Sequence, residues 1–223
     1  MQVRLISYTK PSRELIEEGL YDVQELVAYC ARVSNPANQF NTETSEKLIG
    51  YLIKHAHWSP LEMANACIEI DTTRDIAHQI VRHRSFSFQE FSQRYANVGE
   101  LGDMFTFREA RLQDAKNRQN SVETEDSELK REWMIQQRKV IEAAESAYKW
   151  AIDNGVAKEQ ARAVLPEGLT KTRVYMNGTI RSWIHYIQLR AANGTQKEHM
   201  EIAKACAKVI ADIFPLTNTL LEE

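Results

Sequence analysis

The chain has 223 residues, with 28 Lys and Arg against 31 Asp and Glu and a formal net charge of −3. That is enough for one sizeable domain, and the mild acidity excludes a protein that holds polyanions by bulk electrostatics. Cys30, Cys67 and Cys206 are odd in number and too scattered for a metal knuckle or a disulfide framework.

Val3 and Leu5 alternate with polar neighbours, so residues 2–8 read as a strand. Asp22 can cap a helix that runs to about Val33 and stops at the Ser34-Asn35-Pro36 turn signal. A second helix is predicted from about Thr44 to His55 on Leu48, Tyr51 and Leu52. Met63 to Asp71 follows as a strand with Ala64, Ala66, Ile68 and Ile70 on one face. Thr73-Arg74-Asp75 opens a helix whose core face is Ile76, Ala77, Ile80 and Val81. From Arg108 to Arg131 the chain is polar and charged, a surface excursion or a helix pair joined by a loose loop. A long helix is predicted from Ser127 to Asp153, stopped by Asn154-Gly155, and a short one before Leu165-Pro166. Thr170 to Met176 reads as a strand, after which Asn177-Gly178-Thr179 turns the chain into a helix through Ala191. Asn193-Gly194 ends that helix, and Thr195 to Glu198 forms a capping box for a last helix reaching about Phe214. The pattern predicts a helix-rich α+β single domain with a small, mostly antiparallel sheet. The first residues lack the apolar run of a secretion signal, and no segment has the length of a membrane span. A soluble cytoplasmic protein with no membrane partner is expected.

The segment from Arg82 to Tyr95 concentrates the chemistry. Arg82, Arg84 and Arg94 supply guanidinium forks that match phosphate oxygens, and Ser85, Ser87 and Ser92 supply hydroxyls. Phe86, Phe88, Phe91 and Tyr95 offer flat apolar faces to a ring system. A basic cluster at a helix end is also an ordinary solvated face or a complement to the helix dipole. Two features favour a ligand: the arginines sit among apolar residues, and Glu90 lies inside the cluster, where a general anion surface has little use for it.

Competing chemistries fit less well. His55 and His57 are two apart and His78 and His83 five apart, so neither pair has the spacing of a helical zinc motif, and no metal is expected. There is no G-x-S-x-G elbow and no Rossmann or Walker glycine loop. A single-strand nucleic-acid module would use the arginines on phosphates and the phenylalanines for stacking, but the net charge and Glu90 tell against it. A non-catalytic flavin or nucleotide sensor is the other alternative.

Arg82-His83-Arg84-x-x-Ser87-x-x-x-x-Ser92-x-Arg94 resembles, position by position, the RHRxxSxxxxSxR signature of flavin-dependent thymidylate synthases. His57-x-Ser59-Pro60-x-Glu62 is similar to the family's HxSPxEH segment, with Met63 and Ala64 where a second histidine is expected. Ala161-Arg162-x-Val164-Leu165-Pro166 resembles its ARxxLP element, and Arg181-Ser182-Trp183 through Leu189-Arg190, with Gln196, its C-terminal helix and loop. These blocks run from about residue 55 to 198, and the resemblance covers nearly all of residues 1–223.

The resemblance implies reductive methylation of dUMP to dTMP, with methylenetetrahydrofolate as carbon donor, FAD as hydride carrier and NADPH as reductant. It implies a homotetramer with active sites between subunits. Arg82, His83 and Arg84 would contact FAD, as would Thr179, Arg181 and His185, and Ser59 would reach it from a neighbouring subunit. Gln79, Arg82 and Arg162 would bind dUMP, and Gln79 and Arg82, three apart, would share a helix face. Glu90, Phe91, Ser92, Gln93 and Arg94 would form the loop around the nucleotide, Glu90 also near FAD, with Ser92 and Arg94 on the phosphate. Arg190 would contact the uracil and favour ionisation at its N3. Gly194 stands where some relatives carry a histidine near the flavin.

Overall fold

The computed structural model describes residues 2–217. β1 (Gln2–Tyr8) opens the chain as a strand, and α1 (Arg13–Glu17) and α2 (Val23–Ala31) follow. Asp22 caps α2 as expected, and Glu25 bonds back to close a capping box. After α3 (Ser45–Lys54) comes β2 (Asn65–Thr73), which runs directly into α4 (Arg74–Ile80). β3 (Phe86–Glu90) is next, then a small hairpin of β4 (Arg111–Gln113) and β5 (Ser121–Glu123). α5 (Ser127–Asp153) has the predicted bounds and ends on Asn154, with Gly155 at φ +75°. α6 (Lys158–Ala161), β6 (Lys171–Thr179), α7 (Ile180–Arg190) and α8 (Lys197–Ala211) complete the described elements.

The main sheet is antiparallel, in the spatial order β1-β2-β6-β3. Side chains alternate across a strand, so Ala66, Ile68 and Ile70 of β2 point to one face and are buried with Met176 of β6. Helices α2, α3, α4, α7 and α8 cover that face with Val27, Ile49, Ile76, Trp183, Ile187 and Ile202. Trp183 also donates its indole N–H to the Ala66 carbonyl, 3.0 Å away, which fixes α7 on the sheet. The opposite face carries a cross-strand charge ladder, in which buried Glu69 lies between Arg4 and Arg173 and Asp71 pairs with Arg173. The α+β class expected from the sequence is the one observed.

Four local expectations give way to longer-range contacts. The Arg108–Arg131 excursion is no helix pair; its centre is the β4–β5 hairpin, whose loop is tied by Asp114 to the amides of Lys116 and Asn117. Asn177 and Gly178 do not turn the chain but continue β6, because Gly178 pairs with both Ala66 and Phe86. The capping box at Thr195–Glu198 does not form. Glu198 is drawn instead to Arg108 and Arg111. Glu90, expected in the nucleotide loop, instead ends an edge strand, Phe86 to Glu90, in which Phe86 and Phe88 alternate inward with exposed Ser87 and Gln89.

Candidate active site

α4 buries Ile76, Ala77 and Ile80 and stops there, because the next residues leave the helix for the β3 edge. Gln79 and Arg82 therefore do not share a continuous helix. In the connecting turn the side chains of Arg82 and Arg84 are exposed and His83 is half-buried between them. Neither arginine has a polar partner among the described residues. His83 packs edge-on against Tyr186 at 5.0 Å between ring centroids. Its Nε2 accepts the Nε–H of Arg190 at 3.0 Å. A guanidinium only donates, so Nε2 carries the lone pair and the ring proton sits on Nδ1. Burial and the Arg190 charge lower the His83 pKa to about 4, so the ring is neutral at ordinary pH.

Gln79 points to α8. Its Nε2 donates to Gln196 Oε1 at 2.8 Å, and its Oε1 lies 3.2 Å from His199 Nδ1. His199 is fully buried and its Nε2 is 3.1 Å from the Tyr186 hydroxyl. Burial first, then the charges of Arg190 and His83, lowers its pKa to about 3. The sequence reading missed both His199 and Tyr186. The only signal for His199 was its place in the apolar stripe of α8 with Ile202, Ala203 and Cys206, where a histidine reads as core.

The opposite end of α7 gathers a second set. Thr179 is the N-cap and accepts the Ser182 amide at 3.1 Å. Arg181 is ion-paired with Glu62, and His185 meets Trp58 edge-on at 4.4 Å. Burial, then Arg181, lowers the His185 pKa, but the side chain lies on the exposed side of α7 and not in the core. Exposed Ser59 begins the short 3-10 turn Ser59–Glu62 that faces this end. Ser182 donates to the Ser85 carbonyl at 3.1 Å, tying the start of α7 to the Arg82–Ser85 turn.

The third set lies beyond β3. The Glu90 carboxylate is held by Arg74 at 3.1 Å and by Thr172 Oγ1 at 3.0 Å. The Phe91 amide donates to the Arg173 carbonyl, and Ser92 Oγ accepts the Arg94 amide at 3.4 Å. Gln93 is buried, and its Nε2 has no hydrogen-bond partner. Arg94 and Arg162 converge on Glu159: Arg94 Nε is 3.7 Å from its carboxylate, and Arg162 Nε donates to its carbonyl at 3.3 Å. Neither arginine makes a polar contact with Arg190, His83 or Gln79. Within one chain the expected residues therefore fall into three groups, two of them at opposite ends of α7.

A cavity of about 520 Å³ lies elsewhere, lined by Thr72, Phe107, Lys171 and Lys197 among others and by none of the residues expected to bind FAD or dUMP. Most of its charges are already matched, Lys197 with Glu109 and Glu123 and Glu198 with Arg111. Among the residues expected to bind ligand, Arg82, Arg84 and the orphaned Gln93 amide are unpaired donors. Such a set suits an acceptor-rich anion such as a nucleotide or a dinucleotide pyrophosphate.

A small antiparallel sheet backed by helices, with exposed guanidinium groups at its edge turn, defines an α+β protein with a cationic turn. The family model described as thymidylate synthase complementing protein matches residues 14–216, and the chain belongs to that family. It is 48% identical over 215 residues to the probable flavin-dependent thymidylate synthase of Paramecium bursaria Chlorella virus 1, covering 96% of each. It is 48% identical over 222 residues to the flavin-dependent thymidylate synthase of Synechocystis sp., covering 100% of each. The crystal structure of a UMP/dUMP methylase PolB from Streptomyces cacaoi bound with 5-Br dUMP shares the fold, with a TM-score of 0.81. At 24% identity it covers 99% of this chain and 94% of its own.

Proposed function

We propose that this chain is a flavin-dependent thymidylate synthase that converts dUMP to dTMP, with methylenetetrahydrofolate as carbon donor and NADPH as reductant. The observation that carries the reading is the Arg82-His83-Arg84 turn with Arg190 bonded to His83. FAD, when bound, supplies the hydride. The residues that would hold it are Arg82, His83 and Arg84, with Ser59, Thr179, Arg181 and His185 across α7 and Glu90 at the end of β3.

Arg94 and Arg162 would take the dUMP phosphate, with Ser92, Gln93 and Phe91 shaping the loop around the nucleotide. Glu90, fixed by Arg74 and Thr172, suits a ribose hydroxyl better than a phosphate. Gln79 and Arg190 would face the uracil, with Arg82 alongside. Arg190 is always charged, so it stabilises negative charge developing at uracil N3 and does not act as a base. Neutral His83 orients that guanidinium without competing with its charge.

The thiols support chemistry that needs no cysteine nucleophile. Burial raises the pKa of Cys30, Cys67 and Cys206 alike, so none is poised as a thiolate. A homotetramer of single domains spanning residues 1–223 fits the separation of the three residue groups, which a neighbouring subunit would bring together. It also fits α5, which leaves Trp133, Met134, Val140 and Trp150 exposed. No described helix is long and apolar enough to cross a membrane, in keeping with a cytoplasmic enzyme.

The test is the visible spectrum of the purified protein, followed by NADPH oxidation and dTMP formation with dUMP and methylenetetrahydrofolate. A yellow protein that forms dTMP is expected. Arg190→Ala should keep the flavin and lose about 10²–10³ in kcat. A colourless protein that binds no added FAD would overturn the reading.

A further inference from the structure

Buried polar groups are costly unless satisfied, so a fully buried histidine tied to two side chains calls for a reason. The hydrogen bonds around His199 form a chain with one direction. It starts from Glu198, whose carboxylate can only accept and is held by Arg111 at 2.6 Å. Gln196 must therefore turn its Nε2 toward Glu198, 3.0 Å away, and its Oε1 toward Gln79. That Oε1 needs a donor, so Gln79 presents Nε2 to it, at 2.8 Å, and turns Oε1 toward His199. The 3.2 Å contact there requires a proton on His199 Nδ1. Its Nε2 is then a lone pair and accepts the Tyr186 hydroxyl at 3.1 Å. Each amide and ring orientation is forced by the one before it.

We infer that His199 is a positioning residue for substrate recognition, which with Tyr186 holds the Gln79 amide in a single orientation toward dUMP. The inference rests on the placement of Gln79 against dUMP given above. An amide can turn over and exchange donor for acceptor at almost no cost in shape. Gln196 Oε1 on one side and His199 Nδ1–H on the other block that exchange, since a flipped Gln79 would set its Oε1 against an acceptor and its NH₂ against a donor. One Nε2–H and one Oε1 lone pair of Gln79 stay free, a donor and acceptor whose order is set before the nucleotide arrives. Such preorganisation removes an ordering cost from binding.

Two substitutions of similar size separate the halves of the device. In His199→Asn the side-chain amide falls near the place of Nδ1, which keeps the donor to Gln79 and gives up Tyr186. In His199→Gln it reaches the place of Nε2, which keeps Tyr186 and gives up the lock. Steady-state kinetics of the FAD-loaded enzyme should show a dUMP KM raised about tenfold in His199→Gln, the loss of one orienting hydrogen bond. His199→Asn should stay within about threefold of the unchanged protein, and kcat should move less than KM in both. Equal dUMP KM values for the two variants would overturn the inference, because a merely structural role does not distinguish them.

Tyr186→Phe serves if the His199 variants do not fold. Without the hydroxyl the ring loses its anchor on the Nε2 side and holds Gln79 less firmly, and a rise of about threefold in dUMP KM is expected. An unchanged KM would again overturn the inference. Gln79→Ala separates it from the reading beneath it. If Gln79→Ala leaves the dUMP KM unmoved, both fall. If it raises KM while His199→Gln does not, the lock alone falls.

Discussion

The Phe86 ring fills the space beside Gly178 so closely that a Cβ on Gly178 would lie 2.4 Å from Phe86 Cδ1. The ring is itself set edge-on against buried Trp183 at 4.9 Å, so it has little room to retreat. Gly178→Ala should cost about 1–3 kcal/mol, as overpacking does, and the double variant with Phe86→Leu should recover part of it. Urea titration monitored by tryptophan fluorescence checks both. An unchanged midpoint in the single variant would mean that the edge strand moves freely.

Ala56 is the one non-glycine residue with positive φ, at 57°, among the described residues. It sits where α3 ends, with its amide bonded to the Ile53 carbonyl and the His57 amide to the Leu52 carbonyl, the pairing of a Schellman turn. That turn delivers Trp58 and Ser59 to the start of α7. Glycine takes the left-handed conformation without a Cβ penalty. Ala56→Gly should therefore stabilise the chain by about 0.5–1 kcal/mol, seen as a raised Tm.

Arg94 and Arg162 should act on the nucleotide through charge. A charge-assisted hydrogen bond is worth about 1.5–3 kcal/mol, so replacing either by Ala should raise the dUMP KM about 10- to 100-fold. Glu159→Gln should lower it, but by no more than about fivefold, because the Arg94–Glu159 pair is half exposed and such pairs are weak. Alanine variants with unchanged KM would move the phosphate elsewhere.

Acid should destabilise the fold through its histidines before its carboxylates. The pKa values of His83 and His199 stand at about 4 and about 3 in the folded chain, against roughly 6.5 unfolded. Between those values the unfolded chain binds more protons, so stability falls as pH falls. It is fully present above about 6.5 and declines toward about 4 for His83 and about 3 for His199. Tm measured from pH 7 to 5 should drop, and His199→Asn should flatten the slope. A slope identical in the variant would exclude His199 as a source.

Where local chemistry decides, the sequence was a good guide. Ala66, Ile68 and Ile70 read as one face of a strand and are buried together, and Asn154-Gly155 stops α5 where expected. Where distant residues decide, it was not. Asn177-Gly178 has the composition of a turn, yet the absent side chain makes room for Phe86 from another strand. Glu198 has capping-box spacing, yet Arg111, 87 residues away, takes its carboxylate. The arginine turn was legible because its residues are adjacent in sequence. The Tyr186–His199–Gln79 chain was not, because its members come from α7, α8 and α4.

One helix carries both Arg181 in its first turn and Arg190 in its last. Nine residues at about 1.5 Å each set those Cα atoms about 13–14 Å apart along the axis. A single inserted or deleted residue between them would turn one end by about 100° relative to the other. α7 thus works as a ruler, and length variation in this chain should collect in the β4–β5 hairpin and stay out of residues 181–190.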